Sequence, residues 1–176
     1  MVVTNTTNGT NMMDQTGHFN EVLSLTNHKF ATYLVVSSLL ILKMMALTIL
    51  TIQQRFKHKV VISEEDAKAN GGTVGNHPDV DRVRRAFQND LENIPAFLII
   101  SLAYLFVNPP GWVVHILYYL FLLVRIGHTI VYAVYIVRQP ARGICFFIGF
   151  LIIMYMSLHV LFYGLISGYG KKSHKM

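Results

Sequence analysis

Residues 82–93 read RVRRAFQNDLEN, and residues 94–107, which follow without a break, read IPAFLIISLAYLFV. Eight of the first twelve are charged or amide side chains (Arg82, Arg84, Arg85, Gln88, Asn89, Asp90, Glu92 and Asn93), and the next fourteen carry no charge. Fourteen helical residues rise about 21 Å, too little to cross a hydrocarbon core about 30 Å thick. A span built on Ile94 to Val107 must therefore take residues from the charged stretch, which puts part of that stretch inside a membrane. With Arg82 at the surface, Glu92 lies roughly 15 Å deeper. Charges at that depth are costly and face a bundle interior, a partner or a water-filled cavity.

The rest of the chain agrees with a membrane setting. Of its 176 residues, 53% are hydrophobic and 14% are charged, where a soluble domain carries about a quarter charged residues. The apolar residues gather in four blocks, Phe30 to Ile52, Ile94 to Val107, Trp112 to Val137 and Ile144 to Ile166. All but the second exceed the roughly 18 residues that distinguish a span from a buried core segment. The expected fold is an all-α integral membrane protein, a four-helix transmembrane bundle. Its spans are expected at about 29–54, 80–107, 111–137 and 140–166, with a polar N-terminal segment over 1–28, a loop over 55–79 and a basic tail over 167–176.

Loop charge sets the orientation. The first loop region holds Arg55, Lys57, Lys59, Lys68, Arg82, Arg84 and Arg85, the turn at Asn108 to Gly111 holds no basic residue, and the third connection holds Arg138 and Arg142. The positive-inside rule places the first and third connections in the cytosol and both termini outside it, against the weaker opposing signal of the KKSHK tail. The net charge of +6 is then mostly juxtamembrane and calls for no nucleic-acid partner. Residues 1–28 lack the basic and apolar regions of a secretory signal. They do contain two glycosylation patterns, at Asn5 and Asn8, which require a luminal N-terminus. The single cysteine, Cys145, excludes an internal disulfide and a cysteine-based metal site, and no metal site is expected.

The polar residues near the second and third spans recur at helical spacing. Arg85, Gln88, Asn89 and Glu92 fall at i, i+3, i+4 and i+7, and so do Arg125, His128, Thr129 and Tyr132. Counted inward from Arg138, His128 reaches the same depth as Glu92, roughly 15 Å. Two polar faces at one level, open to the cytosol, suit a charged hydrophilic ligand, with Lys43 and Arg142 adding positive charge. The competing reading is structural: Asp90 pairs with Lys43 or Arg125 to hold the helix register. His115 and His159 are read as interfacial or satisfied core groups, and Tyr118, Tyr119, Tyr155 and Tyr163 as packing residues.

The runs DVDRVRRAFQNDLENIPAF (79–97), VRIGHTIVYAVY (124–135) and RQPARGICFF (138–147) resemble the membrane-associated eicosanoid and glutathione metabolism family over roughly residues 30–165. That resemblance implies a homotrimer of four-helix subunits in the endoplasmic reticulum membrane, with the mitochondrial outer membrane as a second location. It implies glutathione as co-substrate, bound between neighbouring subunits near the cytosolic side, and a hydrophobic electrophile or lipid arriving from the bilayer. The family's glutathione contacts fall on Arg55, Arg85, Asn89, Glu92, His128, Tyr132 and Arg142, and Gln88 joins them by its place on the same helical face. Arginine forks suit the two carboxylates of glutathione. Arg142 is the implied catalytic cation that keeps the thiol, with its ordinary pKa near 8.5, ionised at neutral pH.

The implied reaction is conjugation of glutathione to hydrophobic electrophiles, with lipid peroxidase activity beside it. The alternatives are a glutathione-dependent prostaglandin endoperoxide isomerase and a non-enzymatic lipid-binding scaffold. Phe87 stands where the family generally has His, Gln88 replaces a residue that is basic in the synthase branch, and Gly143 follows Arg142 where that branch has Ser. Asp66 matches an acid of the synthase branch. The wording of Asn89 to Asn93 and of Gln139 to Arg142 is nearer the transferase branch.

Overall fold

The computed structural model describes residues 16–134 and 140–169. Asn5, Asn8, Arg138 and the basic tail beyond 169 lie outside the described residues. The chain is helical over 16–22 (α1), His28–His58 (α2), Glu64–Asn70 (α3), Pro78–Phe106 (α4), Gly111–Thr129 (α5) and Ala141–Tyr169 (α6). A five-residue π-helix, Ile130–Val134, extends α5. Three of these helical segments, α2, α5 with its extension, and α6, are long and apolar enough to cross a membrane. Their outward surfaces carry Leu39, Leu42, Met45, Ile116, Leu123, Phe147 and Phe162, all solvent-exposed in the isolated chain. The protein is thus an all-α chain with the surface of a membrane protein.

Local sequence explains where the long helices begin and end. Asn27 caps α2 by accepting from Lys29 N–H, and Lys59 closes that helix in the left-handed conformation, donating its backbone N–H to Arg55 and Phe56 carbonyls. At the start of α4, His77 Nδ1 accepts from Asp79 N–H, Pro78 occupies the first turn, and Asp79 and Asp81 face the positive end of the helix dipole. The helix then runs unbroken through the charged stretch into the apolar one, 29 residues in all, about 43 Å. Continuity of that kind was the premise of the length argument from the sequence.

Between α2 and α4 the chain is more ordered than a plain loop over 55–79. Helix α2 continues to His58, and Val60–Val61 (β1) pairs in parallel with Thr73–Val74 (β2) around α3. Ser63 caps α3, and hydrogen bonds from the Glu65 backbone amide and the Ser63 hydroxyl hold the Glu65 carboxyl below its ordinary range. Gly72 is required where the pairing closes. Its φ is 121°, and a Cβ there would sit 2.6 Å from the Lys59 carbonyl oxygen. Two-residue strands are too short to leave a periodic signal, which is why the sequence shows no sign of them.

The long helices pack so that α2 and α6 each lie against both α4 and α5. Helices α4 and α5 therefore face one another across a diagonal, not as side-by-side neighbours, and approach most closely at the π-helix. Phe97 of α4 stacks on Phe121 of α5 with centroids 3.9 Å apart, and Tyr118 meets Phe97 edge-on and donates its hydroxyl to the Ser101 carbonyl at 2.6 Å. His115 is satisfied by Thr32 Oγ1 at 2.9 Å, and His159 packs against Tyr104 and Tyr155. These four groups have the structural roles expected of them.

Candidate functional site

Above the aromatic layer the diagonal is bridged by charge. Asp90 is fully buried and receives Lys43 Nζ on Oδ2 and Arg125 Nη2 and Nε on Oδ1, the last at 3.2 Å. Arg125 is also fully buried, and its Nη2 donates to Asn89 Oδ1 at 2.8 Å. Asp90 thus binds one cation from each of two other helices, which is the register-fixing role. The structural alternative, Asp90 paired with Lys43 and Arg125, is the arrangement observed. Arg125 does not open onto a polar cavity with His128 and Tyr132 but is consumed by Asp90, and Asn89 turns inward to support it.

The other members of the polar faces lie nearer the π-helix. Arg85 Nε donates to the Tyr132 hydroxyl at 3.2 Å, and the His128 ring stacks on Tyr132 at 5.6 Å. The Tyr132–Arg85 and Arg125–Asn89 contacts fix the antiparallel register of the two helices. Interpolation between them sets His128 opposite Phe87 and Gln88, with Glu92 just over one turn farther from the loop end. The depth match between His128 and Glu92 is therefore corrected. The count set Arg82 and Arg138 at one level by assumption, whereas the Tyr132–Arg85 contact fixes the level directly. Among the described residues, Arg85, Gln88 and Glu92 are exposed on one face of α4, while Asn89 is half-buried and His128 buried.

Arg55 lies apart from this group. It shares a cavity of about 490 Å³ with Asp66, Lys59, Asn70 and the glycine pair at 71 and 72. A second hollow, of about 380 Å³, joins Arg55 to Arg84 and Phe87, and a third, of about 540 Å³, joins Arg84 and Phe87 to Arg85 and Gln88. Phe87 packs on Leu47, Val83 and Ala86 and lines both the hollow with Arg55 and the hollow with Arg85. Arg84 lines both hollows. The sequence reading took it as an orientation signal, and only the shared lining reveals its position. Arg142 is the second residue of α6, with its backbone in the first turn, and its side chain lies outside the described residues.

Comparison with known proteins matches the MAPEG family over residues 33–162. This chain belongs to the MAPEG family. Its relatives include prostaglandin E synthase of Macaca fascicularis, 33% identical over 141 residues that cover 79% of this chain and 92% of that protein. The prostaglandin E synthase of Homo sapiens matches to the same extent. Microsomal glutathione S-transferase 1 of Rattus norvegicus is 36% identical over 148 residues, 81% of this chain and 90% of that protein. The MAPEG chain described here thus has relatives of both names at similar identity. Of the eight site residues expected in it, the structure joins Arg85, His128 and Tyr132, and sets Gln88 and Glu92 on the Arg85 face of α4. Asn89 accepts from Arg125, and Arg55 lines a hollow that shares Arg84 and Phe87 with that of Arg85 and Gln88.

Proposed function

We propose that this protein is a membrane-bound glutathione transferase, a four-helix transmembrane subunit of a homotrimer with its loop between α2 and α4 in the cytosol. The observation that carries the reading is the exposed row Arg85, Gln88 and Glu92 on α4, anchored to Tyr132 of the π-helix. The row continues directly into the apolar half of the helix. A carboxylate facing lipid there is costly, so a second subunit and a hydrophilic ligand are its natural cover. Glutathione supplies matching groups: carboxylates for the Arg85 and Arg55 guanidiniums and an ammonium for Glu92. Arg142, in the first turn of α6, adds its charge to the positive end of a 29-residue helix. A thiolate held there attacks an electrophilic carbon from the membrane, forming a C–S bond as a halide leaves, and the thiol proton passes to water.

A second reading, glutathione-dependent isomerisation of a prostaglandin endoperoxide, is favoured by one feature. Asp66, the acid matching the synthase branch, lines the same cavity as Arg55. An ultraviolet difference spectrum on mixing the detergent-purified protein with glutathione at neutral pH tests the common premise. Thiolate absorbance supports both readings, and turnover of an aryl halide against a prostaglandin endoperoxide then separates them. Absence of glutathione binding would overturn both and favour a lipid-binding scaffold.

A further inference from the structure

We infer that His58, His77 and Asp79 form a binding site for one divalent transition-metal ion of the Zn²⁺ class, at the junction of α2 and α4. One donor atom from each residue lies within 4.8 Å of the other two. Zinc bonds of about 2.0–2.2 Å set ligand pairs roughly 3.5 Å apart in a tetrahedron. Asp79 Oδ2 is already 3.1 Å from His58 Nε2 and 3.8 Å from His77 Nδ1. Closing the set needs the two imidazoles, now stacked at 3.5 Å, to rotate so that both lone pairs meet at one point.

His58 and Asp79 are placed for this role. His58 Nε2 is shut off from solvent, makes no well-aligned hydrogen bond among the described residues, and meets Asp79 Oδ2 only as an ion pair. His77 Nδ1 accepts from Asp79 N–H at 3.2 Å, and a metal would take that lone pair in place of the capping hydrogen bond. Arg82 Nη1 holds Asp79 Oδ1 at 3.0 Å and leaves Oδ2 free, the kind of outer contact that orients a ligating carboxylate. The two imidazoles stack with centroids 3.5 Å apart, half-buried between the helix ends.

Two imidazoles and one carboxylate suit Zn²⁺, Co²⁺, Ni²⁺ or Cu²⁺ and not the all-oxygen preference of Mg²⁺ or Ca²⁺. Three protein ligands leave a fourth position for water. The ion would staple the last residue of α2 to the cap of α4 across the whole intervening segment. Arg55 is one helical turn from His58, so the staple would also steady the wall of the Arg55–Asp66 cavity. No metal was expected from the sequence, because 18 residues separate His58 from His77 and only the β1–β2 closure brings the helix ends together. The inference is independent of the glutathione reading, since it needs neither Arg85 nor Arg142.

The test uses the full chain, purified in detergent without a histidine tag, stripped with a chelator and kept in thiol-free buffer. Co²⁺ titration followed by visible absorbance, and Zn²⁺ competition against a chromogenic chelator, are expected to give one equivalent per chain at micromolar affinity or tighter. His58→Gln and His77→Ser, the latter keeping a helix-capping side chain, are each expected to weaken binding at least about 10-fold. Zn²⁺ is expected to raise the unfolding temperature of the wild type and of neither variant. If His77→Ser fails to fold, His58→Gln alone decides. Lack of stoichiometric binding, or binding unchanged in the variants, overturns the assignment, the second result placing the ion at other histidines.

Discussion

Replacing Asp90 by Asn tests the charge network most directly, because the amide keeps the shape and removes the charge. Arg125 is 0% exposed and gives Asp90 Oδ1 both its Nε and its Nη2, while Nη1 has no hydrogen-bond partner among the described residues. Without the carboxylate, two cations, Arg125 and Lys43, remain in one buried space with only neutral oxygens to receive them. Removing one partner of a buried pair costs about 3–5 kcal/mol. At roughly 2–4 °C per kcal/mol for a chain of this size, Asp90→Asn should lower the unfolding temperature by about 6–20 °C. Lys43→Met should cost far less, since it leaves the Arg125–Asp90 pair intact and the site neutral. The double variant Lys43→Met/Asp90→Asn should be more stable than Asp90→Asn alone, having one buried cation in place of two. The assay is thermal unfolding in detergent, followed by the surviving monodisperse fraction on size exclusion. The reasoning is refuted if Lys43→Met is as damaging as Asp90→Asn, or if the double variant is the least stable of the three.

Three further outcomes are expected. Tyr132→Phe removes the hydroxyl that receives Arg85 Nε, a bond worth about 0.5–1.5 kcal/mol, so KM for glutathione should rise roughly 2–10-fold with kcat little changed. Arg142→Ala should leave glutathione binding intact in a difference titration while conjugation at pH 7 falls about 30-fold, the ratio of a fully ionised thiol to one of pKa 8.5. Gly72→Ala forces a Cβ to 2.6 Å from the Lys59 carbonyl oxygen at a φ of 121°, a strain of about 1–3 kcal/mol. Limited proteolysis should then cut the segment over 59–75 sooner, whereas Gly75→Ala, with nothing within 4 Å of its Cβ, should behave as wild type.

Much of the candidate site was legible as a pattern and not as an arrangement. Spacing at i, i+3, i+4 and i+7 placed Arg85, Gln88, Asn89 and Glu92 on a common side of α4. A helix face spans enough arc, however, that its members can point to different neighbours. Asn89 sits toward α5 and serves Arg125, while Gln88 and Glu92 look outward. The spacing in α5 was misleading for a related reason, because Arg125 reaches Asp90 across the diagonal while Tyr132 is re-aimed by the π-helix toward Arg85. A change from α to π geometry leaves no mark in hydrophobic periodicity.

What the sequence determined by itself is the membrane character and the long helices. Transfer of apolar surface is additive along the chain, and a contiguous run of apolar residues reveals itself without reference to any neighbour. The continuity of charged and apolar halves in α4 was determined in the same way, by the length a helix needs. Tertiary structure decided everything that depends on pairs. It made Asp90 the shared anion of Lys43 and Arg125, set Phe87 and Arg84 along both the Arg55 and the Arg85 hollows, and brought His58 beside His77 and Asp79. These juxtapositions depend on how helices cross and how a short loop closes. Both are set by packing between residues far apart in sequence, which no local pattern encodes.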